Sequence, residues 1–147
     1  MTAVKVTLTI GEQMTNHDLH SYFQVATEGG MRRSLKNNCL LLISRSYDND
    51  CPDLWDGHYL YFMGMGKKGD QDLQRAQNRT LLTANETGIA CYLFLKNSPH
   101  EYVYLGPVTL AGNPIKEQCG DRNIIRFPLK PTVDLTAYLP AEQIVKK

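Results

Sequence analysis

At 147 residues, 42% hydrophobic and 21% charged, the chain suits one soluble domain, residues 1–147, with a real core, and is not that of a disordered protein. Its longest apolar run, Cys39 to Ile43, is far too short to span a bilayer, and no charged-apolar-small leader opens the sequence; a cytoplasmic protein with no membrane partner is expected. A formal net charge of +1 neither demands nor excludes a polyanionic partner, so the placement of charge matters more than its sum.

Val4 to Ile10 alternates β-branched and polar residues and predicts a strand, turned by Gly11-Glu12. Thr15 or Asn16 caps a predicted helix from Asp18 to about Ala26, with Leu19, Tyr22 and Phe23 on one face. Gly29-Gly30 ends it and opens a loop through Ser34. Asn37-Asn38 reads as a turn, and Cys39 to Ser44 as a buried strand. Tyr47 to Gly57 is a polar loop with four Asp residues. His58 to Met63 is too aromatic for anything but a strand. Gly64 to Gly69, with three glycines in six residues, must be a turn or loop. Asp70 is a good N-cap for a helix from Gln71 to about Asn85, stopped by Gly88. Ile89 to Leu95 and Tyr102 to Leu110 are strands joined by a turn at Asn97 to His100. Gln118 to Asn123 reads as a polar loop, Ile124 to Leu129 as the last strand, and a short helix is expected after Pro140. With strands clustered rather than alternating with helices, the expectation is α+β: a twisted, largely antiparallel, barrel-like sheet with flanking helices.

Cys39 and Cys91 lie in apolar runs, where cysteine packs as a small hydrophobe. With Cys51 and Cys119 they are widely spaced, without a C-x-x-C pair, so a reducing compartment and no disulfide are expected.

Signatures of catalysis are weak. His17 and His20 share a helix face, but no further ligand stands at zinc-site spacing, and no metal or cofactor site is expected. There is no G-x-S-x-G and no P-loop. Gly64-x-Gly66-x-x-Gly69 matches the dinucleotide fingerprint in letters but lacks its βαβ setting. Paired nuclease histidines are missing, and no Asp or Glu stands two residues before a Lys. The remaining enzymatic alternative is a metal-dependent phosphodiesterase built on Asp48, Asp50, Asp53 and Asp56.

Positive charge gathers around the centre of the chain: Arg32, Arg33, Lys36, Lys67, Lys68, Arg75 and Arg79. A Gly-Lys-Lys-Gly turn leading into a helix offers amides and cations to phosphates. The acid loop would repel phosphate, but an Asp there suits the exocyclic amine of cytosine. Tyr47 and Phe62 beside it can hold a base by stacking, provided the base leaves the duplex.

These segments occur in an order that resembles the SRA (YDG) domains: GGMRRS, SYDND, WDGHYLYFMGMG, KKGDQ, AQNRTL and EYVYLG. The likeness runs from about Ile10 to Pro131 and is strongest to the SRA-like modules of McrA-type modification-dependent restriction endonucleases. The resemblance implies an SRA/PUA-like fold that flips modified cytosine into an aromatic pocket. Tyr47 matches the first stacking ring, Asp50 the acid on the cytosine amine, and Phe62 the second ring, here Phe in place of Tyr. Because Cys51-Pro52-Asp53-Leu54 lengthens the loop, Asp53 or Asp48 can replace Asp50; Trp55 completes the expected pocket. Gly30, Met31 and Arg32 match a loop near the vacated base. Gln71, Asn78 and Arg79 match helix residues, and Arg32, Arg33, Lys67, Lys68 and Arg79 are expected on phosphates. The expected partner is double-stranded DNA carrying 5-methyl- or 5-hydroxymethylcytosine, bound without cofactor. Any cleavage would come from a separate HNH-type nuclease domain or partner. An RNA-binding or protein-interaction barrel is the other alternative.

Overall fold

The computed structural model describes residues 6–145. Its nine strands are β1 (Gln13–Met14), β2 (Met31–Ser34), β3 (Cys39–Arg45), β4 (Leu54–Trp55), β5 (Leu60–Met63), β6 (Ala90–Ser98), β7 (Glu101–Leu110), β8 (Ile115–Cys119) and β9 (Arg122–Pro131). Helices α1 (Asn16–Phe23), α2 (Ala76–Leu82) and α3 (Ala84–Thr87) flank them, with single 3-10 turns at Leu135–Ala137 and Ala141–Gln143. These strands join one sheet in the order β2-β3-β6-β7-β9-β5-β4, with β1 added to β7 and β8 to β9. Of the nine, only β3 and β6 pair in parallel, and the long crossover through β4, β5, α2 and α3 makes that pairing reachable. The sheet is open, ending at β2 and β4, so the α+β expectation holds without a closed barrel.

Both faces of the central strands are covered, which is why they read as apolar runs rather than alternating ones. Along β3, Leu40 and Leu42 enter one core with Leu93, Leu105, Phe127 and Leu129. Cys39, Leu41 and Ile43 enter the other, with Phe23, Phe94, Tyr102 and Tyr104. Helix α1 covers that second face through Leu19 and Phe23. Its start is fixed by a capping box, in which the Thr15 hydroxyl accepts from the Asp18 amide and the Asp18 carboxylate accepts from the Thr15 amide.

Four expectations need correction. The strand expected over Val4 to Ile10 begins outside the described residues, and residues 6–10 form no regular strand. Met31 to Ser34 is not a loop but β2, because its backbone pairs residue for residue with β3. Gln118 to Asn123 is the tip of the β8–β9 hairpin rather than a free loop. The expected helix from Gln71 starts only at Ala76, since the side chains that would cap or build its first turn bond elsewhere: Asp70 accepts from the Asn123 amide, and Gln71 bridges to Ile125.

The expectation of no disulfide is also wrong. Cys51 and Cys119 are bonded, with Cα atoms 6.3 Å apart. Pairing of β8 with β9 carries Cys119 to the foot of the acid loop, a proximity that spacing in the sequence does not encode. Cys39 and Cys91 are free and buried, as apolar-run cysteines should be. The inference of a reducing compartment therefore loses its premise. No helix among the described residues is long and apolar enough to cross a membrane.

Candidate nucleic-acid interface

A cavity of about 680 Å³ opens between three segments: the loop from Thr27 into β2, the acid loop after β3, and the end of β5 with the glycine turn that follows. Gly30 and Met31 form one wall, Phe62 to Lys67 another, and Asp48, Asn49, Asp50, Cys51 and Asp53 a third. Arg45, Lys96 and Arg122 also border it.

Asp53 is the chemically distinctive group in this wall. It is 3% exposed, and its Oδ1 accepts the Met63 amide at 2.7 Å. The Arg126 guanidinium lies 3.9 Å from the same oxygen. Among the described residues, Oδ2 receives no hydrogen bond, yet it is not a sealed, unsatisfied atom. Burial pushes the carboxyl up to about 6, against the opposing pull of the Met63 amide, the nearby Ser44 hydroxyl and Arg126. Ser44 is itself buried without a partner in hydrogen-bond geometry, so it assists the charge without fixing it.

The other acids diverge. Asp48 and Asp50 are exposed on the cavity rim. Asp56 turns away: Oδ1 accepts the amides of His58 and Tyr59, and Oδ2 accepts the Tyr61 hydroxyl. Burial works against its charge, but those bonds outweigh it and hold the carboxyl below its ordinary range. With Asp53 in an ion pair and Asp56 serving a turn, the four carboxylates do not converge. Among the described residues no group of three or more His, Cys, Asp or Glu is placed to hold a metal ion.

The aromatic residues behave differently from the pocket expected. Phe62 borders the cavity and is rooted in the core at 2% exposure. Tyr47 is not in the wall; it is half-buried, with the Arg45 guanidinium 5.6 Å from its ring centre. Of the two expected stacking rings, only Phe62 lines the cavity. Trp55 is buried beneath, its Nε1 donating to Thr136 Oγ1 at 3.0 Å.

Several expected phosphate-binding groups are internal struts. Arg32 donates to the Gly29 carbonyl, Asn16 Oδ1 and the Tyr102 hydroxyl. Arg33 holds the Ser34 and Cys39 carbonyls and Asn38 Oδ1, bracing the β2–β3 hairpin. Gln71 and Asn78 clamp the glycine turn. The Gln71 amide donates to the carbonyls of Gly64 and Gly66 and accepts from the Ile125 amide. Asn78 accepts from the Met65 amide and donates to the carbonyls of Met65 and Asp72. A side chain on Gly64 would strike these clamps: its Cβ would lie 2.9 Å from Asn78 Oδ1 and 3.0 Å from Gln71 Oε1. Lys67 and Lys68 are exposed at the turn, and Arg79 is exposed on α2, bonded to Gln74.

Arg45, Lys96, Arg122 and Arg126 have no place in the expected site. Arg122 sits at the hairpin tip, donating to the carbonyls of Gly66 and Gly69. One signal was available: Cys51 and Cys119 stand next to proline and glycine in polar turns, unlike Cys39 and Cys91.

No family model matches the chain, and no curated protein matches it. Solved structures do. The sulfur-binding and SRA domains of ScoMcrA, complexed with phosphorothioated DNA, superpose with a TM-score of 0.66 over 93% of this chain and 44% of that one, at 17% identity. Of the type IV phosphorothioation-dependent restriction endonuclease ScoMcrA, this chain spans 31%. The SUVH5 SRA domain gives 0.67 with hemi-methylated CG DNA and 0.68 with fully hydroxymethylated CG DNA, at 17% and 16% identity, each covering 91% of this chain and 96% of that one. The fold is that of the SRA domains, as the resemblance in the sequence implied.

Proposed function

We propose that the chain is a non-catalytic module that binds double-stranded DNA and reads modified cytosine, 5-methyl- or 5-hydroxymethylcytosine, by flipping it into the cavity. One observation carries this reading: a buried carboxylate, Asp53, whose second oxygen is unbonded at a cavity between two loops and a strand end. A carboxylate oxygen with no protein partner is an acceptor free for a ligand donor, and the cytosine amine is one. Asp53 therefore takes the role first matched to Asp50, as the longer loop allows. Phe62 offers a flat apolar contact below the base. A stacking partner above it requires Tyr47 to leave Arg45 on binding, or another group to enter from the DNA. Lys67, Lys68, Arg45 and Lys96 meet phosphates around the mouth.

SRA domains of similar fold have been solved with methylated and hydroxymethylated DNA, which supports this choice of partner. We propose that residues 1–147 act as one specificity module of a modification-dependent restriction system, any cleavage lying in a nuclease domain or partner. Fluorescence anisotropy with matched duplexes tests the reading. A single 5-methyl- or 5-hydroxymethylcytosine is expected to strengthen binding by at least about tenfold, because in the proposed mode only the modified base stays flipped and so gains the Asp53 contact. A 2-aminopurine beside it should brighten on binding as the stack opens. Equal affinity for modified and unmodified duplexes would defeat the reading, and RNA that competes as well as DNA would favour the RNA-binding alternative.

A further inference from the structure

Arg126 projects from β9 beneath the acid loop and is 5% exposed. It does not border the cavity, so it does not touch a base held there. Its Nη1 donates to the Pro52 carbonyl at 2.9 Å and the Cys51 carbonyl at 3.3 Å, the two peptide groups just before Asp53. The same nitrogen stands 3.9 Å from Asp53 Oδ1. On its other side Nε donates to Glu117 Oε2 at 2.8 Å, which fixes the plane of the guanidinium from β8. In the sheet, Arg126 pairs with Met63, the residue whose amide occupies Asp53 Oδ1. One side chain thus holds the approach to Asp53, and its strand partner holds the carboxylate.

Resting on the function proposed above, we infer that Arg126 is the positioning residue for the base-reading carboxylate: it holds Asp53 so that Oδ1 is occupied and Oδ2 faces the cavity. A planar fork suits this task, because one donor set must satisfy two carbonyls and a carboxylate at once. Other charges border the cavity as well. Arg32 and Arg122 are tied to backbone carbonyls. Glu28, Arg45, Asp48, Asp50 and Lys67 are exposed and Lys96 half-buried, so solvent screens them more than Arg126.

The test is the ratio of affinities for a 5-methylcytosine duplex and its unmodified twin, measured from about pH 5 to about pH 8, the window of Asp53 titration. Arg126→Gln should lower the ratio at least about fivefold at neutral pH and move the pH of half-maximal ratio upward, as loss of a nearby cation does. Arg126→Lys should restore the pH midpoint but only part of the ratio. Affinity for the unmodified duplex should stay within about twofold, because no phosphate contact is removed. A general loosening of the fold would weaken both duplexes and would not be rescued at the midpoint by Lys. If Arg126→Gln fails to fold, Glu117→Ala removes only the outer anchor and should cut the ratio about threefold. A folded Arg126→Gln with the wild-type ratio and midpoint would overturn the inference, as would an unchanged ratio in Glu117→Ala where that variant stands in. In both cases wild-type preference would survive, so the functional reading would stand; a wild-type protein without preference would sink both.

Discussion

Burying a carboxylate costs a protein stability unless its bonds replace those made by water, and Asp53 is buried with one oxygen unpartnered. Its folded value of about 6 lies above the ordinary 3.8, so the native state holds more protons than the unfolded chain between those limits. This group therefore costs the fold most above about pH 6, and the penalty fades as pH falls toward 3.8. Asp53→Asn should therefore stabilise the free protein at neutral pH by about 1–3 kcal/mol, since the neutral amide keeps an acceptor for the Met63 amide and removes the buried charge. Arg126 would keep Glu117 and two carbonyls. The same variant should lose the preference for modified DNA, because an amide donor would then face the amine donor of the base. Thermal melts at neutral pH and near pH 4, where the advantage should narrow, check the first half, and duplex binding checks the second. A lower melting temperature at neutral pH would mean that the ion pair with Arg126 outweighs the cost of burial.

Strand and turn elements hold that carboxylate in place, and two of them can be probed alone. Gly64→Ala puts a methyl group against Asn78 and Gln71, and overpacking at such a joint costs about 1–3 kcal/mol. Denaturant unfolding should show that loss, together with weaker binding of modified DNA, because the displaced turn carries Met63 and Lys67 with it. Cys119→Ser opens the bond that ties the acid loop to the hairpin across 68 residues, and chain entropy alone predicts a loss of about 4 kcal/mol relative to the oxidised protein. Wild-type protein with a thiol reductant should unfold at the same denaturant concentration as the variant; wild-type stability indifferent to reductant would show the bridge unformed in solution. These elements also show where the sequence was legible. Cys39 to Ser44 and Ile124 to Leu129 could be read as buried strands because both faces of the sheet are covered, leaving long apolar runs. Met31 to Ser34 could not, since its polar arginines bend back onto carbonyls and only pairing with β3 makes it a strand. The late start of α2 was hidden for the same reason: Gln71 has good helix propensity but makes three tertiary hydrogen bonds instead. Order of motifs carried the fold and the acid loop. Register, visible only in space, decided which acid was buried and which arginines were engaged.

At the scale of the whole molecule, the proposed function assigns affinity and selectivity to different groups. A net charge of +1 gives little long-range attraction, so in the proposed complex binding to any duplex rests on a few cations, Lys67, Arg45 and Lys96 at the mouth and the exposed Lys68 next in the chain, working beside Asp48 and Asp50. Removing one cation that neutralises a phosphate should flatten the dependence of log affinity on log salt by about 0.9. Replacing Lys67 and Lys68 together with alanine should thus flatten the slope by about two and weaken modified and unmodified duplexes equally, leaving their ratio unchanged. Asp53→Asn should do the reverse, erasing the ratio while leaving the slope alone, because a base contact releases no counterions. Anisotropy titrations from about 50 to about 200 mM salt separate the two. Were the lysine pair instead to change the ratio, the glycine turn would be reading the base rather than the backbone, and its clamping by Gln71 and Asn78 would then serve specificity directly.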